Sequence, residues 1–400
     1  MANSGGLIHF DYQLCTALAE TGADVSLVAG TEYELESLPH NFKVDNILKL
    51  WKGFDAHPHN DMPFPRRILE RIFRSMRRIM RGILVLWAWV KLIFYLDGTR
   101  PDVVQFSRLG YNFDFFFIWL LRRKGFNLTQ ICHEFEERET GVMFSNILHK
   151  LDLLAYSSFS KIFFLAENSR RSFLEIYPSI DSKYTDVIPH GNSDWLLGIQ
   201  SSSRDVKLRE RYGISDDESV VLFFGLLAPS KGVEDLIRAF ALVAEKSDAK
   251  LVIAGYPTKF INAASLKSLV DGLGVSNKVV LDLRYLPLEE IGDLMELATV
   301  VVYPYHSSTQ SGSLQTAYTF GKPVIATMVG GLPEVVENGK SGFLVPAHSP
   351  NDLAEKILVF VNDRALAEEM GKYARRLSTT RFNWNAIAQE ILTIYAVGSG

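Results

Sequence analysis

The stretch TVVVYPYHSSTQSGSLQTAYTFGKPVIATMVGGLPEVV, residues 299–336, decides the fold of this 400-residue chain. Its apolar run at residues 300–303 predicts a strand, residues 313–320 predict a helix that ends at Gly321, and residues 324–327 predict the next strand. Two polar loops, at residues 306–312 and 330–334, therefore follow the carboxyl ends of neighbouring parallel strands. Open α/β sheets bind their ligands at this edge.

The start of the predicted helix has the properties of an anion site. Backbone N–H groups in the first turn of a helix are unpaired and carry partial positive charge, and the small residues Ser311 and Gly312 allow an anion to approach them. Thr309 and Gln310 add polar side chains beside it. One such loop could be an ordinary connection between a strand and a helix, whereas two together favour a ligand site.

The same alternation of strands and helices runs through the chain on both sides of this stretch. Because 400 residues exceed one comfortable core, we predict two doubly wound α/β domains. The predicted N-terminal domain covers residues 1–200, the C-terminal domain covers residues 201–378, and residues 379–400 form a last helix. The first domain opens with a glycine loop and a helix where a parallel sheet normally opens with a strand, so we predict that its first strand is missing.

Bulk composition excludes several classes of function. The net charge of −4 gives no general attraction to nucleic acid, so we predict no nucleic-acid partner. Two cysteines, Cys15 and Cys132, are too few for a disulfide framework or a zinc site and fit a reducing, cytoplasmic location. His57 and His59 have no acidic partner at ligand spacing, and we predict no metal site.

A basic amphipathic helix is predicted between Arg66 and Arg81. Apolar residues recur every three or four positions from Leu69 to Trp87, and seven arginines occupy the remaining faces. Such a helix lies on an anionic membrane surface, so we predict peripheral association with the inner face of the membrane. Beyond Gly82 the segment is apolar nearly all round, which is typical of a core helix and leaves a true membrane span as the less favoured alternative.

Two charged or titratable residues lie at the end of a predicted strand or in the loop that follows one. His133 ends the strand predicted at residues 128–133, where it could contact a ligand or a leaving group, although a capping histidine is an equal alternative. Lys231 ends a glycine-bounded loop after the strand at residues 220–224, where it could meet a phosphate. The chain has neither a Walker loop nor a GxGxxG loop after a strand, which argues against the usual ATP and NAD sites.

These residues together carry a resemblance to a known family. The second half resembles a retaining glycosyltransferase of the GT-B fold, family GT4, in a subgroup with a TQSG loop. The matching pieces include Lys231-Gly232, Thr309-Gln-Ser-Gly312, GKPVIA at residues 321–326 and GGLPE at residues 330–334. The first half resembles the family more weakly, through Gly5-Gly6, His133 and the IPHG run at residues 188–191.

The resemblance implies two Rossmann-like domains with a nucleotide-sugar donor, a UDP- or GDP-sugar, held between them. Lys231 would contact the diphosphate, Gly5 and Gly6 would face the donor phosphates, and His133 would lie near the reacting centre. The other donor contacts would come from Thr309, Gln310, Ser311, Gly312, Gln315 and Glu334. The last helix would cross back to the N-terminal domain. Such enzymes transfer the sugar with retention and usually need no bound metal or other permanent cofactor.

Two departures from the family pattern keep alternative functions open. Many members carry two glutamates eight positions apart where this chain has Ser307 and Gln315, and Leu226 replaces a usual arginine. The leading hypothesis is a transferase that acts on a lipid-linked or polysaccharide acceptor at the cytoplasmic membrane face. The second is a catalytically impaired GT-B protein that binds a sugar nucleotide or partners an active transferase. A nucleotide-sugar epimerase or hydrolase is the third.

Overall fold

The computed structural model describes residues 6–30, 33–48, 64–109, 113–135, 145–199 and 206–397. The strands are β1 Ser26–Gly30, β2 Lys43–Leu48, β3 Val104–Phe106, β4 Leu128–Cys132, β5 Lys161–Phe164, β6 Thr185–Val187, β7 Val220–Phe224, β8 Lys250–Ala254, β9 Val279–Asp282, β10 Val300–Tyr303, β11 Val324–Thr327 and β12 Gly342–Val345. The α-helices are α1 Gly6–Glu20, α2 Phe64–Thr99, α3 Asp114–Arg123, α4 Ser145–Tyr156, α5 Glu167–Ile176, α6 Val206–Tyr212, α7 Val233–Ala244, α8 Ala263–Gly272, α9 Leu288–Leu297, α10 Gly312–Thr319, α11 Leu332–Val335, α12 Pro350–Asn362, α13 Arg364–Thr380 and α14 Trp384–Val397.

The second half of the chain forms one six-stranded parallel sheet in the order β12-β11-β10-β7-β8-β9. Every residue of β10 and β11 is buried, as the continuous apolar runs of the sequence predict for strands covered on both faces. Strands β7 and β10 are neighbours in the middle of the sheet, although 75 residues separate their ends. The loops that follow these two strands therefore open at the same edge.

The strands of the first half form two separate parallel sheets. Strand β1 pairs with β2, and a second sheet has the order β3-β4-β5-β6. Strand β4 is buried along its whole length, between β3 and β5. Its carboxyl end, where His133 follows, faces the loops of the second half.

The last helix, α14, packs against the first half of the chain. Trp384, Ile387 and Ile391 share one apolar cluster with Phe10 of α1 and Phe163 of β5. The Trp384 indole N–H donates to Gln13 Oε1 at 2.9 Å and to the Asn192 carbonyl oxygen at 2.8 Å. The prediction that the last helix crosses back to the N-terminal domain is confirmed.

The long helix α2 has two apolar faces with different surroundings. One face is buried in the core of the first half and carries Val85, Trp89, Leu92 and Leu96. The opposite face is exposed and carries Met76, Met80, Ile83, Trp87 and Phe94. Residues Met80–Thr99 are long and apolar enough to cross a membrane. Because only 28% of that window is buried, one face of the segment belongs to the core and the other does not. The side chains of six of the seven arginines from Arg66 to Arg81 lie outside the described residues; that of Arg81 is exposed.

Candidate functional site

A short turn after β7 carries Lys231 to the carboxyl edge of the C-terminal sheet. Residues Pro229–Lys231 form a 3₁₀ turn, which ends at Gly232 with φ of +63°. A Cβ atom at Gly232 would lie 1.9 Å from the Pro304 carbonyl oxygen, so only glycine permits this approach. The Lys231 ammonium lies 3.7 Å from the centroid of the Tyr305 ring, a cation–π contact that holds the charge at this edge.

Hydroxyl groups surround the start of α10. Ser311 is the N-cap residue, and its hydroxyl accepts a hydrogen bond from the Leu314 N–H at 3.3 Å. The hydroxyls of Ser311 and Ser313 are 3.0 Å apart, and the Tyr305 hydroxyl lies 3.3 Å from each. Because Tyr305 also contacts Lys231, the lysine cation and the positive end of α10 converge on one spot.

The loop before α10 contacts the first half of the chain. The Thr309 hydroxyl donates to the His133 carbonyl oxygen at 2.8 Å, and Gln310 Nε2 donates to the Leu165 carbonyl oxygen at 3.1 Å. Gln310 Oε1 accepts from the Ser311 N–H at 3.0 Å. Thr309 and Gln310 therefore fasten the carboxyl ends of β4 and β5 to the C-terminal sheet. Their predicted contacts with a donor stay predictions.

The glycine loop after β11 makes a similar bridge. Gly330 has φ of +53°, and a Cβ atom there would lie 1.4 Å from the Ser308 carbonyl oxygen. The Glu334 carboxylate accepts from the Glu167 and Asn168 N–H groups, both at 2.8 Å. These are the first two residues of α5, so Glu334 caps a helix of the other half of the chain. In the structure, Glu334 acts as this cap between the two halves of the chain. The predicted contact of Glu334 with a donor stays a prediction.

His133 lies beside the loop of Thr309. Its Nε2 atom is buried with no hydrogen-bond partner among the described residues, and its ring makes an edge contact with Phe10 at 4.7 Å between centroids. Burial, together with the smaller effects of the nearby His190 and Arg108, lowers the pKa of His133 from 6.5 to about 3. Burial also lowers the pKa of His190, whose ring packs on the same Phe10. His133 is therefore a neutral imidazole at the cleft edge.

Gln315 is fully buried in the first turns of α10, with 0% of its surface exposed. Neither Oε1 nor Nε2 has a partner among the described residues. An unsatisfied buried amide costs about 1–3 kcal/mol, so a water molecule or a ligand group is expected to complete it. The predicted contact of Gln315 with a donor ribose remains a prediction that this orphaned amide fits.

The remaining predicted positions are less informative. Gly5 lies outside the described residues, and Gly6 is the first residue of α1. Gly312 begins α10, and a Cβ atom there would lie 3.2 Å from His190 Nε2, so the position faces the first half closely. Leu226, which replaces the usual arginine, is 53% exposed at the start of the loop that carries Lys231.

The structure also brings together residues that the sequence analysis did not single out. Phe10 of α1 packs against both His133 and His190, and no local motif marks it. Asp235, His306 and His348 meet near Lys231, although they lie on three separate elements. Only the order of strands in the sheet could have predicted that the three side chains meet, because each is 42 or more positions from the next one in the sequence.

Comparison with known families identifies the domain that carries Lys231 and α10. The model of the family described as "Glycosyl transferases group 1" matches residues 205–377. The match covers less than half of the chain, so it shows that these residues are similar to that family. Together with relatives that are named glycosyltransferases, the match supports a transferase enzyme.

Two relatives show how far the similarity extends. An uncharacterized glycosyltransferase, MJ1607 of Methanocaldococcus jannaschii, is 28% identical over 291 residues, which are 70% of this chain and 73% of MJ1607. The D-inositol 3-phosphate glycosyltransferase of Streptomyces avermitilis is 30% identical over 47% of this chain and 41% of its own length. This chain thus spans about half the length of most of the curated relatives that it matches.

Solved structures of low sequence identity identify the fold. HepE of Anabaena, solved in complex with UDP, superposes with a TM-score of 0.72 at 20% identity, over 99% of this chain and 98% of HepE. A sucrose-phosphate synthase from Thermosynechococcus elongatus superposes over 98% of the chain with a TM-score of 0.71. The predicted fold class, α/β of the GT-B type, is confirmed. The assignment to a subgroup with a TQSG loop stays a prediction.

Proposed function

We propose that this protein transfers a sugar, with retention, from a UDP- or GDP-sugar to a lipid-linked or polysaccharide acceptor at the cytoplasmic face of a membrane. The observation that carries the donor part is the convergence of the Lys231 ammonium and the N-terminal turn of α10 on Tyr305. A departing nucleoside diphosphate gains negative charge, and a cation and a helix N-terminus stabilise that charge.

Other groups at the same edge fit the rest of a donor. The orphaned amide of Gln315 offers both a donor and an acceptor to the hydroxyls of a ribose or a sugar. Neutral His133, whose Nε2 has no partner among the described residues, can hydrogen-bond a sugar hydroxyl without placing a positive charge beside the forming oxocarbenium ion. HepE has been solved in complex with UDP-glucose, which supports a nucleotide sugar as the donor here.

The membrane part of the proposal rests on helix α2. Met76, Met80, Ile83, Trp87 and Phe94 recur at intervals of three, four and seven residues and so share one exposed face. Trp87 is 58% exposed and Phe94 is 74% exposed, which is unusual for aromatic residues in contact with water. The arginine-rich sequence from Arg66 to Arg81 supplies charge for anionic headgroups.

A thermal-shift panel with UDP-, GDP-, ADP- and TDP-sugars tests the donor site. A ligand at about 100 times its dissociation constant stabilises the folded state by roughly 2.7 kcal/mol. We expect a UDP- or GDP-sugar to raise the midpoint, and Lys231→Ala to remove the rise. Lys267→Ala, which removes an exposed lysine from α8, is the matched control and should keep it. A folded protein whose midpoint moves equally in both variants would contradict the proposed role of Lys231.

Binding to vesicles tests the membrane part separately. We expect co-sedimentation with vesicles that contain anionic lipid, and release as the salt concentration rises, because arginine attraction is screened by salt. The double variant Trp87→Ser/Phe94→Ser should weaken binding. Leu197→Ser/Tyr256→Ser, which removes exposed apolar side chains elsewhere, should not. Binding that is absent, or insensitive to salt, would refute the membrane proposal and leave the donor proposal intact.

A catalytically impaired sugar-nucleotide binder is the second candidate. It is favoured by Leu226, an exposed apolar side chain where an arginine would contact the diphosphate. Losing a charged hydrogen bond costs about 1.5–3 kcal/mol, which slows the reaction roughly tenfold to a hundredfold but does not abolish binding. Measurable release of the nucleoside diphosphate from the preferred donor, dependent on an acceptor, would exclude this candidate. Donor binding with no such release under saturating acceptor would favour it.

A further inference from the structure

Three side chains of metal-ligand type meet on the C-terminal domain. Asp235 lies in the first turn of α7, His306 follows β10, and His348 follows β12. One ligand atom from each lies within 4.8 Å of the others. Asp235 Oδ2 is 2.9 Å from His306 Nε2 and 3.5 Å from His348 Nδ1, and the two imidazole rings are 3.8 Å apart between centroids.

Against the expectation from the sequence that the chain has no metal site, we propose that Asp235, His306 and His348 bind a divalent transition-metal cation of the Zn²⁺ type. Zinc holds nitrogen and oxygen ligands at about 2.0–2.1 Å in a tetrahedron, which places neighbouring ligand atoms about 3.3 Å apart. The two distances to Asp235 Oδ2 bracket that separation. These two separations therefore need to change by only a few tenths of an ångström, and the two histidine ligand atoms lie within 4.8 Å of each other.

The chemistry of the ligand set selects the metal. Two imidazoles and one carboxylate suit Zn²⁺, Co²⁺ or Ni²⁺, whereas Mg²⁺ and Ca²⁺ require mostly oxygen ligands. Three protein ligands leave the fourth position of the tetrahedron to water. His348 is 66% exposed on its side chain, so a hydrated ion can enter from solvent.

Neighbouring groups hold the ligands in place. Arg238 Nη1 donates to Asp235 Oδ1 at 3.1 Å, which fixes the carboxylate and leaves Oδ2 facing both imidazoles. The His306 backbone N–H donates to the Ser230 carbonyl oxygen at 2.8 Å. His348 has φ of +57°, a left-handed conformation that non-glycine residues adopt only at a cost, and it presents this imidazole to the other two groups. A hydrogen bond between Asp235 and His306 alone would not require His348 beside it, whereas a metal site would use all three groups.

A bound ion would join three parts of the domain beside Lys231. Asp235 lies in the first turn of α7, three residues after Gly232, and the His306 backbone N–H bonds to Ser230 within the turn that presents the lysine. The ion would therefore fasten that turn to the loops that follow β10 and β12. This inference does not depend on the transferase reaction, since the three ligands lie within the C-terminal domain and need no donor.

Metal titration of the full chain tests the proposal. The protein is stripped with a chelator, dialysed, and titrated with Zn²⁺ against a chromophoric competitor, with Mg²⁺ in a parallel arm. We expect one Zn²⁺ per chain and no measurable competition from Mg²⁺. The double variant His306→Gln/His348→Gln should weaken zinc binding at least tenfold, since it removes two of three ligands. Circular dichroism and the thermal midpoint in chelator show whether that variant is folded.

The chain offers a matched control in its other histidine pair. His57→Gln/His59→Gln removes the same number of imidazoles and should leave zinc binding unchanged. Replacement of zinc by Co²⁺ should give the strong visible absorption of a tetrahedral site in the control and not in His306→Gln/His348→Gln. The proposal is overturned if His306→Gln/His348→Gln binds Zn²⁺ as the unaltered protein does, or if only the control variant loses binding. If the double variant is unfolded in chelator, His348→Gln alone, at an exposed position, repeats the comparison.

Discussion

Two parts of the carboxyl edge of the C-terminal sheet are short, glycine-containing loops with different uses. The first, residues 226–232, which we name the lysine edge, leaves its charged group available: among the described residues, the Lys231 ammonium contacts only the face of Tyr305. The second, residues 309–310 and 330–334, which we name the bridging edge, engages its polar side chains with the first half of the chain. Thr309, Gln310 and Glu334 all bond to backbone groups of residues 133–168.

The two edges therefore have different roles. The lysine edge is available to bind a ligand, whereas the bridging edge joins the two halves of the chain. Hydrogen bonds to backbone groups of another domain are satisfied in the absence of any ligand, so the bridging edge contributes to stability. A cation stacked on an aromatic ring has no hydrogen-bond acceptor and gains one only when an anion binds. We therefore expect substitutions at the bridging edge to change the free energy of unfolding, and substitutions at the lysine edge to change donor affinity.

The largest effect is expected for Gly330→Ala at the bridging edge. The added Cβ atom would lie 1.4 Å from the Ser308 carbonyl oxygen, so the backbone must move. We expect a loss of at least about 3 kcal/mol of unfolding free energy, measured by urea denaturation. Gly339→Ala is the matched control, because Gly339 has φ of +78° but no atom within 4 Å, and should cost only about 1–2 kcal/mol. Equal losses in the two variants would contradict the close approach.

Glu334→Gln tests whether the carboxylate joins the two halves. Glutamine offers one acceptor oxygen and no charge to the two N–H groups at the start of α5. We expect a loss of about 2 kcal/mol in urea denaturation, from the charged hydrogen bond and the helix dipole. Glu368→Gln, at an exposed position of α13, should change stability by less than about 0.5 kcal/mol. If both variants unfold at the same urea concentration, Glu334 does not act as a cap.

The pH dependence of stability tests the burial of His133. Its pKa is about 3 when folded against 6.5 when unfolded, so the unfolded state binds the proton first as the pH falls. The contribution of neutral His133 to the free energy of unfolding is therefore complete above pH 6.5. It falls by about 1.4 kcal/mol per pH unit between pH 6.5 and about 3. His133→Gln should reduce the slope between pH 6 and 4 by about that amount. An unchanged slope in His133→Gln would refute the shift.

The smallest effect on stability is expected for Lys231→Ala at the lysine edge. It removes one cation–π contact at a half-buried position, which is worth about 0.5–1 kcal/mol. The urea midpoint should therefore fall only slightly, although the donor-induced thermal shift is lost. A destabilisation as large as that of Glu334→Gln would mean that Lys231 also holds the fold together, and the distinction between the two edges would fail.

The sequence predicted the strands of the C-terminal sheet best. Residues 220–224, 300–303 and 324–327 are predicted as strands and have these bounds in the structure. Strands buried on both faces read as unbroken apolar runs, which leave little ambiguity. Strand β2, with the sequence KVDNIL, was not predicted, because charged residues interrupt its apolar pattern.

The site was predictable only where local sequence determines it. Lys231, Ser311 and Gly312 were singled out because a loop after a strand and the start of a helix are local features. The use of Glu334 as a cap for α5 was not predictable, since its partners are 166 and 167 positions away. The same holds for Asp235, His306 and His348, whose meeting depends on the neighbouring positions of β7, β10, β11 and β12 in the sheet.

The packing of α14 against α1 has a consequence for synthesis of the chain on the ribosome. The first half needs Trp384, Ile387 and Ile391 to cover Phe10 and Phe163, and these three residues follow the whole C-terminal sheet in the chain. The apolar surface of the first half is therefore uncovered while the whole C-terminal sheet is translated. A chain stopped before Trp384 should bind a hydrophobic dye far more strongly than the full chain, and equal dye binding would show that the first half closes its core alone.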